Sequence, residues 1–184
     1  MTQIIIDGLI FDIPETPIGV ALSGGADSTL LFYILMKYAK GPIYVFSCAN
    51  GKTNFQEPVN ALKVVNRVKQ LLPRDDVYFN VHWANDKQLT TAFPKVVMDK
   101  FNINVMYFGF TRPPPANAFD FSKDDAAAVG GVDSGDLLPT FWEHKGTLTK
   151  LFGPDVVKFG YDKSFYTPFI NINKKEIAKL YTSL

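Results

Sequence analysis

The segment PIGVALSGGADSTLLFYI, residues 17–34, limits the fold of this chain more than any other feature. It begins with a short apolar run, Ile18–Leu22, whose lack of polar alternation is typical of a strand buried on both faces. A serine-glycine-glycine turn follows, and from Asp27 to Lys40 apolar residues recur at helical spacing before Gly-Pro ends the helix. A glycine turn between a buried strand and a helix suits an anion, because free backbone amides and the positive end of the helix dipole meet there. The segment therefore predicts an α/β fold with an anion-binding turn.

The same alternation of strand and helix continues through the first 110 residues. Further strands are predicted at 43–49, 77–83 and 103–110, and helices at 58–72 and 88–101. Strands that alternate with helices pair in parallel through right-handed crossovers, with helices covering both faces of the sheet. Near the N-terminus, Asp7-Gly8 stands between two apolar runs, which is typical of a tight hairpin. The chain closes with FYTPFINI and a predicted helix, NKKEIAKLYTSL.

Residues 111–162 interrupt this pattern. They contain three consecutive prolines, several Gly and Asp, and little periodicity apart from a short helix predicted near 137–150. Irregular segments of this length in compact domains tend to be lids or binding loops. Because the segment follows the carboxyl end of the fourth core strand, we expect it to form a substrate lid within a single domain spanning residues 1–184.

Composition excludes several classes of protein. The formal net charge is +1 with scattered basic residues, so no basic groove for nucleic acid is predicted. A single cysteine excludes an internal disulfide and cannot build a zinc-thiolate site alone. The N-terminal residues lack the features of a signal peptide, and no apolar run reaches membrane-spanning length. We therefore expect a cytoplasmic protein without a membrane partner.

Two familiar phosphate-binding motifs do not match the turn SGGADS, residues 23–28. A Walker loop requires Gly-Lys-Ser/Thr after its first glycine, and a dinucleotide fingerprint requires three spaced glycines. The chemistry of an anion site is nevertheless present, since the two glycines allow close backbone approach and the two serines supply hydroxyl donors. Asp27 adds a carboxylate suited to Mg²⁺. The alternative is a plain helix cap, formed by Ser and Asp side chains after a glycine turn.

In this strand–turn–helix setting, SGGADS resembles the SGGxDS signature of the PP-loop ATP pyrophosphatases. This superfamily has a Rossmann-like, adenine nucleotide alpha hydrolase fold and cleaves ATP between its α- and β-phosphates. Members include NAD, GMP, asparagine and argininosuccinate synthetases, tRNA thiolases, phosphoadenylyl-sulfate reductase and 7-cyano-7-deazaguanine synthase. The segment TPFININKKEIAKL resembles the closing segment of the deazaguanine synthases, but the chain lacks their zinc cysteines, and its single cysteine disfavours sulfur transfer. The resemblance implies a three-layer sandwich with a mostly parallel five-stranded sheet, order 3-2-1-4-5, plus the N-terminal hairpin.

The resemblance also implies a nucleotide site at the carboxyl ends of the first, second and fourth core strands. ATP and Mg²⁺ are the implied ligands, with Asp27 and Ser28 in catalytic roles and Asp27 organising the metal. The residues expected to bind the nucleotide are Ala21, Leu22, Ser23, Gly24, Gly25, Ser28, Ser47, Cys48, Gly109, Thr111, Arg112 and Lys174.

Several side chains also have a purely structural interpretation. Cys48 fits a small buried apolar residue, Arg112 a loop arginine, and Lys174 a solvated helix lysine. His82 and His144 have no partner at ligand spacing, so each is predicted to be structural rather than metal-binding. Acidic residues near the predicted ligand edge are weaker candidates for Mg²⁺ or substrate: Asp86, Asp120, Asp124, Asp125, Asp133 and Asp136.

Together these features predict an AMP-forming ligase or amidotransferase. Such an enzyme adenylates a carboxylate, amide or carbonyl of a small molecule or nucleobase, which ammonia or another nucleophile then attacks. Its expected partners are ATP and that substrate, and homo-oligomer formation stays open. The alternative is a non-catalytic ATP/AMP-binding or protein-interaction module, although a scaffold needs neither both serines nor Asp27. A tRNA-modifying role is a third hypothesis, which the near-neutral charge disfavours.

Overall fold

The computed structural model describes residues 2–50, 56–84, 93–109, 111, 164–169, 172 and 174–184. Its strands are β1 (Thr2–Ile6), β2 (Leu9–Ile13), β3 (Ile18–Ala21), β4 (Ile43–Asn50), β5 (Val77–Ala84), β6 (Val105–Phe108) and β7 (Ser164–Tyr166). Its helices are α1 (Ala26–Tyr38), α2 (Glu57–Leu71), α3 (Phe93–Phe101) and α4 (Lys174–Ser183). Among the described residues, no helix has the length and apolar character needed to cross a membrane.

The main sheet has five strands in the order β5-β4-β3-β6-β7, and every pair in it is parallel. Counted along the core, this is the order 3-2-1-4-5, so the predicted topology is confirmed. β3 is central, with Ile18 level with Ile43 on one side and Val105 on the other. The chain leaves β3 toward β4 and later returns to its other side as β6, so the carboxyl end of β3 is the switch point where open α/β sheets bind ligands.

Helices cover both faces of the sheet, which confirms the predicted three layers. On one face, alternate strand residues such as Val20 and Val45 join a cluster with the apolar sides of α1, α2 and α4. On the other face, Phe46 and Met106 form a smaller cluster with α3. Successive strand residues point to opposite faces of the sheet, so neighbouring residues on one strand pack against different helix layers.

The N-terminal hairpin of β1 and β2 is confirmed and is joined to the sheet. Its turn residues, Asp7 and Gly8, have φ of 47° and 80°, the two positive values that a two-residue hairpin turn requires. The hydroxyls of Tyr107 on β6 and Tyr166 on β7 donate to backbone carbonyls of β2, at 2.8 and 3.0 Å. These long-range hydrogen bonds make the hairpin part of the layer that covers β6 and β7.

The fourth core strand starts later than its apolar run predicts. Ile103 is fully buried against α3 rather than paired in the sheet, and its N–H donates to Met98 O at 2.9 Å. Asn102, with φ of 51°, makes the left-handed turn that ends α3. The predicted helix start at Gln88 and most of the segment 111–162, including the predicted helix near 137–150, lie outside the described residues.

Candidate functional site

The turn between β3 and α1 is shaped by Gly24. The N–H of Leu22 donates to Phe46 O at 2.8 Å and so extends the β3–β4 pairing by one residue. Gly24 then has φ of +86°, and a Cβ at this position would lie 2.6 Å from Asn60 Cβ on α2. Gly25 has ordinary extended angles, φ −76° and ψ 164°. Of the two glycines in the turn, only Gly24 therefore adopts an angle that favours glycine.

Ser23 and Ser28 fasten this turn to the first turn of α1. Their hydroxyl oxygens lie 3.1 Å apart, and Ser28 Oγ also donates to Gly25 O at 3.1 Å. The N–H of Gly25 in turn donates to Ser23 Oγ at 3.3 Å. Gly25 is the N-cap of α1, and no side chain makes a capping hydrogen bond. The alternative of a Ser or Asp side-chain cap is therefore wrong, and the first helical amides, which lack intrahelical partners, face the turn.

Asp27 is the second residue of α1 and is the point where three distant parts of the chain meet. Its Oδ2 atom accepts a hydrogen bond at 3.2 Å from the Oγ1 atom of Thr111, a residue just after β6. The same oxygen accepts from Lys174 Nζ at the start of α4. The Asp27 side chain is 12% exposed, and its Oδ1 atom is buried with no hydrogen-bond partner among the described residues. Lys174 is therefore ion-paired in this structure rather than simply solvated.

Gly109 brings the end of β6 against the same helix turn. A Cβ on Gly109 would lie 2.8 Å from both Ser28 Cα and Ser28 N. A side chain there would have to displace helix backbone, so the close approach requires glycine. Gly109, Thr111, Asp27 and Ser28 are thus brought together at one edge of the sheet.

Ser47 and Cys48, near the carboxyl end of β4, point to opposite faces. Ser47 is 1% exposed on the α1/α2 side, and its hydroxyl has no hydrogen-bond partner among the described residues. Cys48 is half-buried and packs against the α3 cluster. Burial and, to a lesser extent, the nearby charge of Glu57 raise the pKa of the Cys48 thiol to about 11. Cys48 therefore carries a neutral thiol near pH 7, which is a weak nucleophile.

Helix α4 adds a residue that sequence reasoning did not identify. The Tyr181 hydroxyl donates to the carbonyl oxygen of Ala26 at 2.6 Å. Burial, followed by the negative charge of Asp27, raises the pKa of Tyr181 above its usual value of 10.0. Tyr181 follows Lys174 by seven residues, so both lie on one helix face, and this spacing is the sequence signal that could have linked them.

The donor set at Asp27 fits a magnesium ion shared with a phosphate ligand. Within the described part of the chain, no group of three or more His, Cys, Asp or Glu side chains could hold a metal by itself. Mg²⁺ at phosphate sites usually takes one or two carboxylates and completes its shell with phosphate oxygens and water. The buried Oδ1 of Asp27, which has no hydrogen-bond partner in the described part of the chain, is free to contact such an ion.

Other predicted site residues lie elsewhere. His82 is on β5, two strands from β3, and is partly buried. Arg112, His144, Asp86 and the acidic residues of 111–162 lie outside the described residues. Glu57, at the start of α2 close to Cys48, was missed, and burial raises its pKa. Acidic residues are common in the first turn of a helix, so nothing in the sequence distinguished Glu57 from an ordinary helix residue.

The segment that contains the glycine turn matches a known protein family. Residues 14–82 match the family model described as asparagine synthase. No curated protein matches the chain. Asparagine synthases belong to the superfamily that SGGADS resembles, and the matched segment contains β3, the turn, α1, β4 and α2. The match favours ATP-dependent adenylation as the class of activity.

Solved structures with a similar backbone are remote in sequence. A protein described as a predicted subunit of a tRNA methyltransferase from Methanocaldococcus jannaschii has 12% identity over 91% of this chain and 74% of its own, with a TM-score of 0.41. NMN synthetase from Francisella tularensis has 10% identity over 90% and 60%, with a TM-score of 0.39. Lactate dehydrogenase from Eimeria maxima has 12% identity over 95% and 43%, with a TM-score of 0.36. Similarity this remote does not identify a reaction. The family match covers less than half of the chain, and the matched residues 14–82 contain the SGGADS turn.

Proposed function

We propose that this protein is an ATP-dependent adenylating enzyme that cleaves ATP to AMP and pyrophosphate. The observation that carries the proposal is the open start of α1, where helix amides without intrahelical partners, two linked serine hydroxyls and the Asp27 carboxylate converge. In this proposal the amides hold the pyrophosphate part of ATP, because they are fixed donors at the positive end of a helix, and the serine hydroxyls rotate to donate to it. The acceptor is a carboxylate, amide or carbonyl oxygen of a small molecule or nucleobase.

The chain's own groups account for the chemistry that such a transfer needs. Attack on the α-phosphate requires positioning and neutralisation of charge more than it requires a protein base. Gly24 brings the turn backbone close to the phosphates, and Ser23 and Ser28 orient them. Asp27 would hold Mg²⁺, which supplies positive charge against the leaving pyrophosphate. Lys174 lies close enough to Asp27 to contact the same phosphates.

The nucleoside is proposed to lie across the carboxyl ends of β3, β4 and β6. Ser47, whose buried hydroxyl has no partner among the described residues, is the candidate donor at β4. Cys48 contributes packing rather than covalent chemistry, since its thiol is neutral near pH 7. The segment 111–162 is proposed to bind the acceptor as a lid, following the expectation from its position in the sequence.

Product analysis tests this function directly. The protein is incubated with ATP, Mg²⁺, ammonia and a panel of carboxylates, amides and nucleobases, and AMP, ADP, pyrophosphate and phosphate are separated. We expect AMP and pyrophosphate in equal amounts, together with exchange of labelled pyrophosphate into ATP. ADP and phosphate without AMP would contradict the proposal. ATP binding without turnover on any acceptor would favour the non-catalytic alternative.

A charge-neutralising pair of variants connects the activity to the site. Asp27→Asn removes the carboxylate charge and is expected to lower the rate of AMP formation by ~10²-fold or more. Asp75→Asn is the matched control, because Asp75 is exposed just before β5, at the amino end of the sheet. The same loss of activity in both variants would remove the assignment of Asp27.

A further inference from the structure

We infer that Lys174 occupies the position of the cation at Asp27 in the nucleotide-free protein, so that a metal ion binds there only after this ion pair opens. The inference rests on the proposed function and assigns Lys174 a regulatory role at the same site. It predicts that nucleotide and metal bind in a coupled order, with the nucleotide phosphates drawing the ammonium away from Asp27.

The Asp27 carboxylate needs a positively charged partner. Its side chain is largely buried, and burial of an ionised carboxylate is costly unless the charge is paired or hydrogen-bonded. Oδ2 receives both available donors, Thr111 Oγ1 and Lys174 Nζ, whereas Oδ1 receives none among the described residues. Lys174 therefore supplies the only positive charge seen on this carboxylate in the described part of the chain. A divalent cation would compete for the same charge.

The two donors to Asp27 differ in how easily they can move away from it. Lys174 is 57% exposed and begins α4, so its ammonium can leave Asp27 without losing its contact with water. Thr111 is neutral and partly buried, so it can stay in place when a cation arrives. Because the lysine end of this ion pair is in water, the pair is weaker than a fully buried one, and phosphate oxygens nearby are sufficient to attract the lysine.

Helix α4 itself is held against α1. Tyr181, on the same face as Lys174, donates to Ala26 O, and Ile177 and Leu180 are buried in the main core. The backbone of α4 is therefore anchored while the Lys174 head group is free to move. This combination allows the ammonium to transfer from Asp27 to a phosphate with no movement of the fold.

Binding of Mn²⁺, followed by its paramagnetic resonance signal, tests the inference without turnover. The full chain is titrated with Mn²⁺ in the absence of nucleotide as wild type, Lys174→Met, Lys174→Arg and Lys175→Met. We expect Lys174→Met to bind Mn²⁺ at least ~5-fold more tightly than wild type, the change that an ordinary exposed ion pair supports. Lys174→Arg, which keeps the charge, and Lys175→Met, the matched control on the next residue, should bind like wild type.

A second titration with a non-hydrolysable ATP analogue present completes the test. With the analogue present, Lys174→Met should no longer bind Mn²⁺ more tightly than wild type, because in wild type the lysine has already moved from Asp27 to the phosphates. Equal Mn²⁺ affinity of all four proteins without nucleotide, or no measurable binding by any of them, would overturn the inference. If wild type forms AMP and pyrophosphate in that case, the proposed function stands while the role of Lys174 fails. Circular dichroism confirms that each variant is folded.

Discussion

Replacement of Gly24 by alanine tests whether the turn between β3 and α1, the proposed anion site, requires glycine for steric reasons. The φ of +86° at Gly24 belongs to the region that residues with a side chain rarely adopt. In addition, a Cβ at this position would lie 2.6 Å from Asn60 Cβ and 2.9 Å from the Asn60 carbonyl carbon. The second of these atoms is helix backbone, which cannot move aside by a rotamer change.

The expected magnitude follows from these two costs. A left-handed backbone angle costs a residue with a side chain about 1–2 kcal/mol. Overpacking a tight contact adds about 1–3 kcal/mol. We therefore expect Gly24→Ala to lower the free energy of unfolding by about 2–5 kcal/mol. This is a large part of the ~5–15 kcal/mol by which a domain is usually stable.

Two other glycines separate the two costs in urea unfolding monitored by far-UV circular dichroism. Gly8 has φ of +80° but nothing within 4 Å of its Cβ position, so Gly8→Ala measures the backbone cost alone, about 1–2 kcal/mol. Gly25 has ordinary angles, and its Cβ would meet only Ser23 Oγ, at 3.5 Å. Gly25→Ala should therefore change the free energy of unfolding by less than ~1 kcal/mol.

The order of these three variants decides the question. Gly24→Ala must be the most destabilising, Gly8→Ala intermediate and Gly25→Ala nearly neutral. If Gly24→Ala costs no more than Gly8→Ala, the turn does not pack against α2 and the argument for its rigid shape fails. Calorimetry with ATP adds a functional reading, since the same variant should also weaken ATP binding.

Three further predictions concern other parts of the molecule. Arg74 donates to Asp76 and to the carbonyls of Ala39 and Gly41, so Arg74→Met should cost about 2 kcal/mol of unfolding free energy in urea titrations. Arg74 holds the pKa of Asp76 below its usual 3.8, so the stability that this pair gives the wild type is lost as the pH falls below that value. In thermal unfolding, acidification should therefore lower the melting temperature of the variant less than that of the wild type. Alkylation of Cys48, the single cysteine, should be slow at pH 7 and rise with pH toward about 11, and ATP with Mg²⁺ should slow it. Limited proteolysis should cut within residues 111–162 of the free protein, and ATP with Mg²⁺ should protect; unchanged cutting at saturating nucleotide would contradict a lid.

Local patterns in the sequence were sufficient to predict the sheet. Buried strands appear as unbroken apolar runs, and short connections through helices force parallel pairing, so the order around β3 followed from topology rules together with the resemblance. The hairpin was predictable for a similar reason, since Asp7-Gly8 supplies both positive φ angles. The error at Ile103 has a physical cause, because an apolar residue next to a strand is equally suited to the end of a helix.

Contacts between distant residues could not be predicted in the same way. Nothing in the local pattern indicates that Tyr107 and Tyr166 donate to the hairpin, or that Tyr181 reaches Ala26. Such hydrogen bonds depend on how α4 and β2 are placed over the sheet, which is a property of packing and not of periodicity. The same holds for the ion pair of Lys174 and Asp27, whose partners are 147 residues apart.

The part of the chain that matches the asparagine synthase family model does not contain the whole of the proposed site. The family match ends at residue 82, on β5, and includes the turn, Asp27 and Ser47. In the described part of the chain, several groups that approach Asp27 or the first turn of α1 from outside this segment come later: Gly109, Thr111, Lys174 and Tyr181. The matched segment contains the turn that we propose binds phosphate. The positive charge beside Asp27 comes instead from Lys174 on α4, and the neutral donor Thr111 follows β6. We therefore expect differences in metal and acceptor use between such proteins to arise in these later elements.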